Sequence, residues 1–328
     1  MFNDPTYPLH RLLAPFAGRK IHILCLGRRE NIARFRNDVP AIHDKCTIDE
    51  IIVAHVDGLG DDTARVWEMV DGKKNDLFDI VFIVDSDLRD ILDIHRITVD
   101  LKDTGCIVSA CYGRPLFYTP PGDGSPIYGY PGIFNLCAKF AAEFQMEGDY
   151  LEFGVFDGRT MSLAWQTMGW RMPRMRFVGF DSFAGIRDAM PDEGYVDLDY
   201  YSNIETFRHH MICVGADPER ILTGKGRFAE TLADPKKSHA ELGLKSCLIA
   251  HIDCDIYQAA KLALDYLTGL LRQGSIILFD EFHYNKASNA LGERRALAEW
   301  LEKNPQYQVE RWHDYALFAR AYIVHCSE

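Results

Sequence analysis

"YLEFGVFDGRT", residues 150–160, decides how this chain is read. Tyr150 to Gly154 is apolar and β-favouring, as an interior strand is, while Gly154 and Gly158 permit a tight turn and close backbone approach to a ligand. Met161, Ala164, Trp165 and Met168 then recur at helical spacing. The stretch is strand, turn and amphipathic helix, and in a doubly wound sheet the first such turn is where a nucleotide sits. The glycines are spaced G-x-x-x-G rather than G-x-G-x-x-G, and no Lys follows as in a P-loop. At this level a ligand cradle and a plain structural turn both stand.

Upstream, "YTPPGDGSPIYGYPG" (118–132) concentrates Pro and Gly as a linker does and places a domain boundary near residue 125. Within residues 1–125, strands are expected at 20–27, 50–56, 79–85 and 105–110, separated by helix-length segments such as 29–38 and 87–95. That alternation predicts a smaller, parallel α/β domain. Gly27, followed by Arg28 and Arg29, is either a phosphate-receiving helix start or a simple turn.

Residues 126–328 read as a longer series. A helix at 132–146 precedes strands at 150–154, 176–181, 220–226, 247–253 and 275–281, with helices at 203–214, 256–272 and 290–303. The helix at 256 carries Ile256, Ala260, Ala263, Leu267 and Leu270 on one face and stops at Gly274. Segments 307–312 and 316–324, joined by "HDY", predict an antiparallel hairpin. The fold class is therefore α/β, a parallel sheet with a terminal antiparallel hairpin preceded by the smaller α/β domain. The order is similar to the Rossmann-like domain of class I S-adenosylmethionine-dependent methyltransferases.

The 328 residues suit one large or two ordinary domains, and 47% hydrophobic with 26% charged residues is ordinary globular composition. The formal charge of −12 repels a phosphate backbone, so neither nucleic acid nor an anionic membrane is expected as a partner. Nine cysteines, odd in number and without a C-x-x-C pair, read as reduced thiols. The N-terminus lacks the continuous apolar core of a signal peptide, and no run reaches 18 apolar residues. A soluble, cytoplasmic protein is expected.

In an open parallel sheet the ligand lies beyond the carboxyl ends of the strands. Asp181 ends the second strand of the series, 23 positions after Gly158, and is either a ribose ligand or a cap for the turn "DSFAG". Asp253 ends the fourth strand, and Asp280 and Glu281 the fifth. Three carboxylates brought together repel, and a hard divalent cation such as Mg2+ relieves the repulsion. Asp255 reads as the cap of the helix that begins at 256.

The run "YLEFGVFDGRT", "VGFDSFAG", "GKGRFAETL", "HIDCDIYQA", "ILFDEFH" resembles the macrocin O-methyltransferase (TylF) family over about residues 130–328. The resemblance implies Mg2+-dependent methylation, from S-adenosylmethionine, of a hydroxyl on a sugar-like small molecule of natural-product type. It implies that Glu152, Gly154 and Gly158 line the methionine end of the cofactor, with Phe156, Asp157 and Thr160 in the same turn. Asp181 and Ser182 would take the ribose, Gly226, Arg227 and Phe228 the adenine side, and Asp253, Asp280 and Glu281 the metal. Glu281 departs from the aspartate the family commonly places there, and the N-terminal half exceeds the family pattern.

Besides Asp253, two histidines are candidates for catalysis as general bases. They are His283, three residues beyond Asp280, and His251, two before Asp253; each is also readable as a hydrogen-bonded core histidine, His251 above all. "MPDEGYVDLDYYSN" (190–203) reads as an acceptor-selecting lid, a solvated loop or a subunit contact of a homo-oligomer. A nicotinamide-dependent sugar oxidoreductase and a non-catalytic nucleotide-binding scaffold are the competing functions.

Overall fold

The computed structural model describes residues 11–27, 47–55, 78–84, 98, 106–110, 129–187, 189, 191–195 and 198–327. The expected helices at 29–38 and 87–95, Arg28 and Arg29, and most of the 118–132 linker lie outside the described residues.

Two sheets are present. The first contains β1 (Lys20–Gly27), β2 (Thr47–His55), β3 (Ile80–Val84) and β4 (Ile107–Ala110), all parallel, in the order β2-β1-β3-β4. A Cβ at Gly27 would lie 2.5 Å from the Val84 carbonyl oxygen, so the glycine reflects close approach of β1 and β3.

The second sheet holds β5 (Asp149–Phe153), β6 (Phe177–Asp181), β7 (Ile221–Lys225), β8 (Cys247–Ile252), β9 (Leu271–Phe279), β10 (Tyr307–Asp314) and β11 (Arg320–Cys326). Their order is β10-β11-β9-β8-β5-β6-β7, parallel from β9 to β7 and antiparallel only through β11 and β10. The expected parallel sheet with a terminal hairpin is what the chain adopts. Its hairpin turn falls later than "HDY": Tyr315 N–H donates to the Ala319 carbonyl at 3.2 Å and the Tyr315 ring is fully buried.

Strand alternation sends the two faces of this sheet into separate cores. Leu151, Phe153, Val178, Phe180, Ile252 and Phe279 face α5 (Tyr257–Leu267) and α6 (Gly292–Lys303). Tyr150, Phe177, Ile249 and Leu278 face α1 (Tyr130–Glu143), α2 (Arg159–Ala164) and α3 (Ile204–Cys213). A further helix, α4 (Pro235–Leu242), buries none of its residues. The first sheet joins the second through α3, whose Cys213 and adjoining Val214 pack with Leu12, Leu13, Phe16, Ile23 and Phe82. No helix among the described residues is long and apolar enough to cross a membrane.

The helix expected at 256–272 ends at Leu267. Gly269 (φ +85) turns the chain and β9 resumes at Leu271, so the expected stop at Gly274 is instead a positive-φ glycine inside a strand.

Candidate active site

Beyond the carboxyl ends of β5, β6, β8 and β9 lies a cavity of about 1040 Å³, large for a single small ligand and roomy enough for two side by side. One wall is the turn after β5. Its backbone is left-handed at Phe156 (φ +52) and Gly158 (φ +84), and Asp181 holds it from the flank. Asp181 Oδ2 accepts Val155 N–H at 2.7 Å and Phe156 N–H at 2.8 Å, while Oδ1 accepts Phe183 N–H at 2.6 Å. Phe183 N–H is the cap of the "DSFAG" turn foreseen in the sequence; the two bonds to the β5 turn were not. Thus Asp181 splints the turn while still lining the cavity.

The glycines of the turn answer to protein neighbours. A Cβ on Gly154 (φ +92) would sit 1.8 Å from the Asp253 carbonyl oxygen, and one on Gly158 would sit 2.6 Å from the Phe207 ring. Close packing against β8 and α3 therefore requires both glycines, and Gly158 lies outside the cavity lining. Gly154, Phe156, Asp157, Thr160, Ser182, Arg227 and Phe228 line the cavity. Glu152 does not. It is fully buried between Tyr150 and His251, because alternation along β5 turns its side chain beneath α1 rather than out of the strand end. Gly226 is likewise outside the lining, its Cβ position facing Thr231.

The opposite wall is acidic. Asp253, Asp280 and Glu281 each bring a carboxylate oxygen within 4.8 Å of the others. Adjacency of β8 and β9 does this: Asp280 N–H donates to the Ile252 carbonyl at 3.1 Å, which fastens the two strand ends together. Tyr130 at the start of α1 donates to Asp280 at 2.6 Å, and Glu281 N–H donates to the buried Glu293 at 3.1 Å. Burial, then the charge on Asp280, then that on Asp255 hold the Asp253 carboxyl well above the usual carboxylate range. Glu281 and Glu293 are raised by burial and Asp280 in the same way. Glu281 Oε2 and Glu293 Oε1 are buried without a hydrogen-bond partner among the described residues. An all-oxygen donor set with unsatisfied acceptors fits a hard divalent cation, with Asp253, Asp280 and Glu281 as its ligands.

Asp255 is the residue most changed from its sequence reading. The helix after it has Ile256 at its cap position with no side-chain capping bond, and Asp255 adopts φ +66 and lines the cavity. A left-handed aspartate costs of order 1–3 kcal/mol and persists where the surroundings enforce it. Two contacts from the 190–203 segment enforce it here. Glu193, 1% exposed, accepts Tyr257 N–H at 2.6 Å and so caps α5 from a distance, and the Tyr195 hydroxyl faces the Asp255 carboxyl and draws its pKa down. Burial and the Asp280 charge push Asp255 up to about 8. Part of that segment is packed against the protein, though Pro191, Asp192 and Gly194 are exposed. Leu198 N–H and Asp199 C=O pair with the Ile186 backbone, and Asp199 and Tyr201 are buried.

Neither candidate histidine reaches the cavity. His251 is wholly buried, edge-on to Tyr130 and Phe134, with Nδ1 3.7 Å from Glu152 Oε2. His283 turns away toward Asp314, Nε2 to Oδ1 3.7 Å, and is no part of the lining. The sequence reading missed the aromatic side of the site. Tyr195, Tyr284 and Phe318 form a ring-to-ring wall, with centroids 5.7 and 5.4 Å apart. The aromatic 190–203 segment was the available signal.

Residues 133–304 match the family described as macrocin-O-methyltransferase (TylF). Similar solved structures include the O-methyltransferase NovP, 17% identical with a TM-score of 0.49 over 59% of this chain and 78% of that one. The calicheamicin methyltransferase CalS11 is 20% identical, TM-score 0.47, over 59% and 77%. A putative O-methyltransferase from Klebsiella pneumoniae is 13% identical, TM-score 0.42, over 74% and 90%. No curated protein matches the sequence.

Proposed function

The chain belongs to the macrocin O-methyltransferase (TylF) family, and from that premise we propose a specific transfer for this methyltransferase. It moves the methyl group of S-adenosylmethionine to a hydroxyl of a sugar or other vicinal-diol small molecule, with Mg2+ at Asp253, Asp280 and Glu281. Family membership sets aside the oxidoreductase and scaffold alternatives. The observation that carries the finer reading is the meeting of the splinted β5 turn and the three-carboxylate cluster across one cavity. A catalytic unit of residues 126–328, a separate unit of 1–125 and a cytoplasmic setting belong to the same proposal.

When bound, the donor supplies an electrophilic methyl on a sulfonium and the cation acidifies a hydroxyl beside it. The chain's own residues do the rest. The turn at 154–160, with Asp181, orients the donor; the Tyr195, Tyr284 and Phe318 wall seats the acceptor ring and excludes water. Asp255 takes the hydroxyl proton on its carboxylate as the oxygen–carbon bond forms, and Tyr195 keeps that carboxylate aimed. Neither His251 nor His283 reaches the cavity to take that proton.

Calorimetry with S-adenosylhomocysteine and with NAD, each with and without Mg2+, tests the donor: tight S-adenosylhomocysteine binding is expected, and NAD binding alone would refute it. Screening hydroxylated sugars, nucleotide-linked sugars and catechols for methyl uptake identifies the acceptor. Asp255→Asn is expected to lower kcat by roughly 10²–10⁴-fold with donor affinity retained. Full turnover in that variant removes Asp255 from the mechanism.

A further inference from the structure

We propose that the N-terminal sheet positions the methyl-donor turn, with Ser109 and His210 as its positioning residues. This rests on the reading of residues 154–160 as the donor site. The family match begins at residue 133, so Ser109 belongs to the part of the chain that the family does not describe.

Among the described residues β4 is an edge strand of the first sheet, and α3 lies along its free edge. Val108 N–H donates to Thr206 Oγ1 at 2.9 Å, and Asn203 Nδ2 donates to the Cys106 carbonyl at 2.9 Å. One step further along both elements lies a wholly buried relay. Ser109 Oγ is 2.8 Å from His210 Nε2, and His210 Nδ1 is 2.6 Å from the Asp157 carbonyl oxygen on the β5 turn.

The chemistry of the partners fixes the direction of the relay. A carbonyl oxygen only accepts, so Nδ1 carries the proton; in the neutral ring Nε2 is then bare, and Ser109 O–H must donate to it. Burial keeps the ring neutral by pushing the imidazole down to about 3. Ser109 thereby selects the tautomer that can hold Asp157. The turn depends on outside support, since Phe156, which is not a glycine, is left-handed. Asp181 holds it on one flank, His210 on the other, and Phe207 of α3 fills the space beside Gly158. Asp157 itself is locked by Arg159, whose Nε donates to Oδ2 at 2.6 Å.

The test is calorimetric titration of S-adenosylhomocysteine into the full-length chain, with thermal melting and amide exchange of residues 155–158 read in parallel. Ser109→Ala should weaken binding roughly three- to tenfold, the worth of one buried hydrogen bond. Ser109→Thr should restore it. His210→Asn, whose amide nitrogen can stand where Nδ1 does, should stay within about threefold of wild type, and His210→Gln should lose about tenfold. The acceptor KM should not move in any of them.

His209→Gln is the control, because its Nε2 lies 2.7 Å from the Leu12 carbonyl across the same seam without touching the turn. It should lower the melting temperature and leave donor affinity alone. Unchanged affinity and unchanged 155–158 exchange in both Ser109→Ala and His210→Gln overturn the inference. A folded wild type that binds no S-adenosylhomocysteine overturns the donor-site reading itself and the inference with it.

Discussion

Gly154→Ala should be among the most damaging small substitutions this chain can carry, and the geometry sets its size. The new methyl would start 1.8 Å from the Asp253 carbonyl oxygen and 2.7 Å from its carbon, against a comfortable separation of roughly 3.5 Å. The strand ends cannot simply part. Asp253 N–H donates to the Phe153 carbonyl at 2.9 Å and Gly154 N–H to the Phe180 carbonyl at 2.9 Å, so retreat costs a ladder bond. A left-handed alanine costs about 1–2 kcal/mol, the lost bond about 1 kcal/mol and residual overpacking about 1–3 kcal/mol, for a total of roughly 3–6 kcal/mol. Gly269→Ala isolates the conformational part, since Gly269 has φ +85 and nothing within 4 Å of its Cβ position. Urea unfolding of the two variants side by side should place Gly154→Ala at least 2 kcal/mol, by this rough reckoning, below Gly269→Ala. Because the displaced carbonyl belongs to a metal-ligand candidate, turnover should also fall about 10²-fold, as a misplacement of about 1 Å does. Equal stability of the two variants, with activity retained, refutes the reasoning.

The acid cluster gives a prediction of opposite sign. Carboxylate oxygens within 4.8 Å repel by about 3 kcal/mol per charged pair at an effective dielectric of ~20, so under chelation Asp253→Asn should melt higher than wild type, and Mg2+ should no longer shift it. A lower melting temperature in chelator counts against the cluster being a metal site. Tyr195→Phe removes the hydroxyl that aims Asp255 and should reduce kcat about tenfold with S-adenosylhomocysteine affinity unchanged; equal loss in both would make Tyr195 merely structural. His210, folded at about 3 against about 6.5 unfolded, is protonated first in the unfolded chain. Its stability contribution is full above pH 6.5 and is lost as pH falls toward 3, by at most about 5 kcal/mol. Asp157 and Ser109 face the ring, with Arg159 and His209 close by, and His210→Asn should flatten the acid limb of urea-unfolding stability between pH 6.5 and 4.5.

Where local patterning and tertiary packing agree, the fold was legible from residues alone. β8 is wholly buried and β9 is buried from Gly274 to Phe279, and "CLIAHID" and "SIILFDE" read as interior strands without ambiguity. α4 was overlooked although its ends are plainly marked, Asp234 capping Lys237 N–H and Gly243 left-handed at its stop. The search for an apolar stripe missed it because the helix buries nothing. The overshoot of α5 has the reverse cause. Leu270 and Leu271 continue the apolar spacing past Leu267, but Gly269 N–H is claimed by the Tyr307 hydroxyl at 3.0 Å and Trp300 donates to Thr268 at 3.0 Å. Both partners come from more than thirty residues away, out of reach of local periodicity.

The site divides along the same line. Acids at strand ends are a property of each strand, and the topology that makes β8 and β9 neighbours brings Asp253, Asp280 and Glu281 together without further help. Which residues of one strand face reach the cavity is a matter of distance from the strand end. Glu152 and His251, opposite one another in register, lie one step too deep, beneath α1, and drop out of the lining, while Gly154 and Asp253, two residues on along the same faces, reach it. Asp255 escaped because an acid before a helix is ordinarily a cap, and a residue some sixty positions earlier performs that office here. Once Glu193 satisfies Tyr257 N–H, the Asp255 carboxylate is released from the helix, its backbone is held left-handed, and Tyr195 from the same segment turns it toward the cavity. The exchange of one cap for another is what converts a structural aspartate into one that faces the cavity.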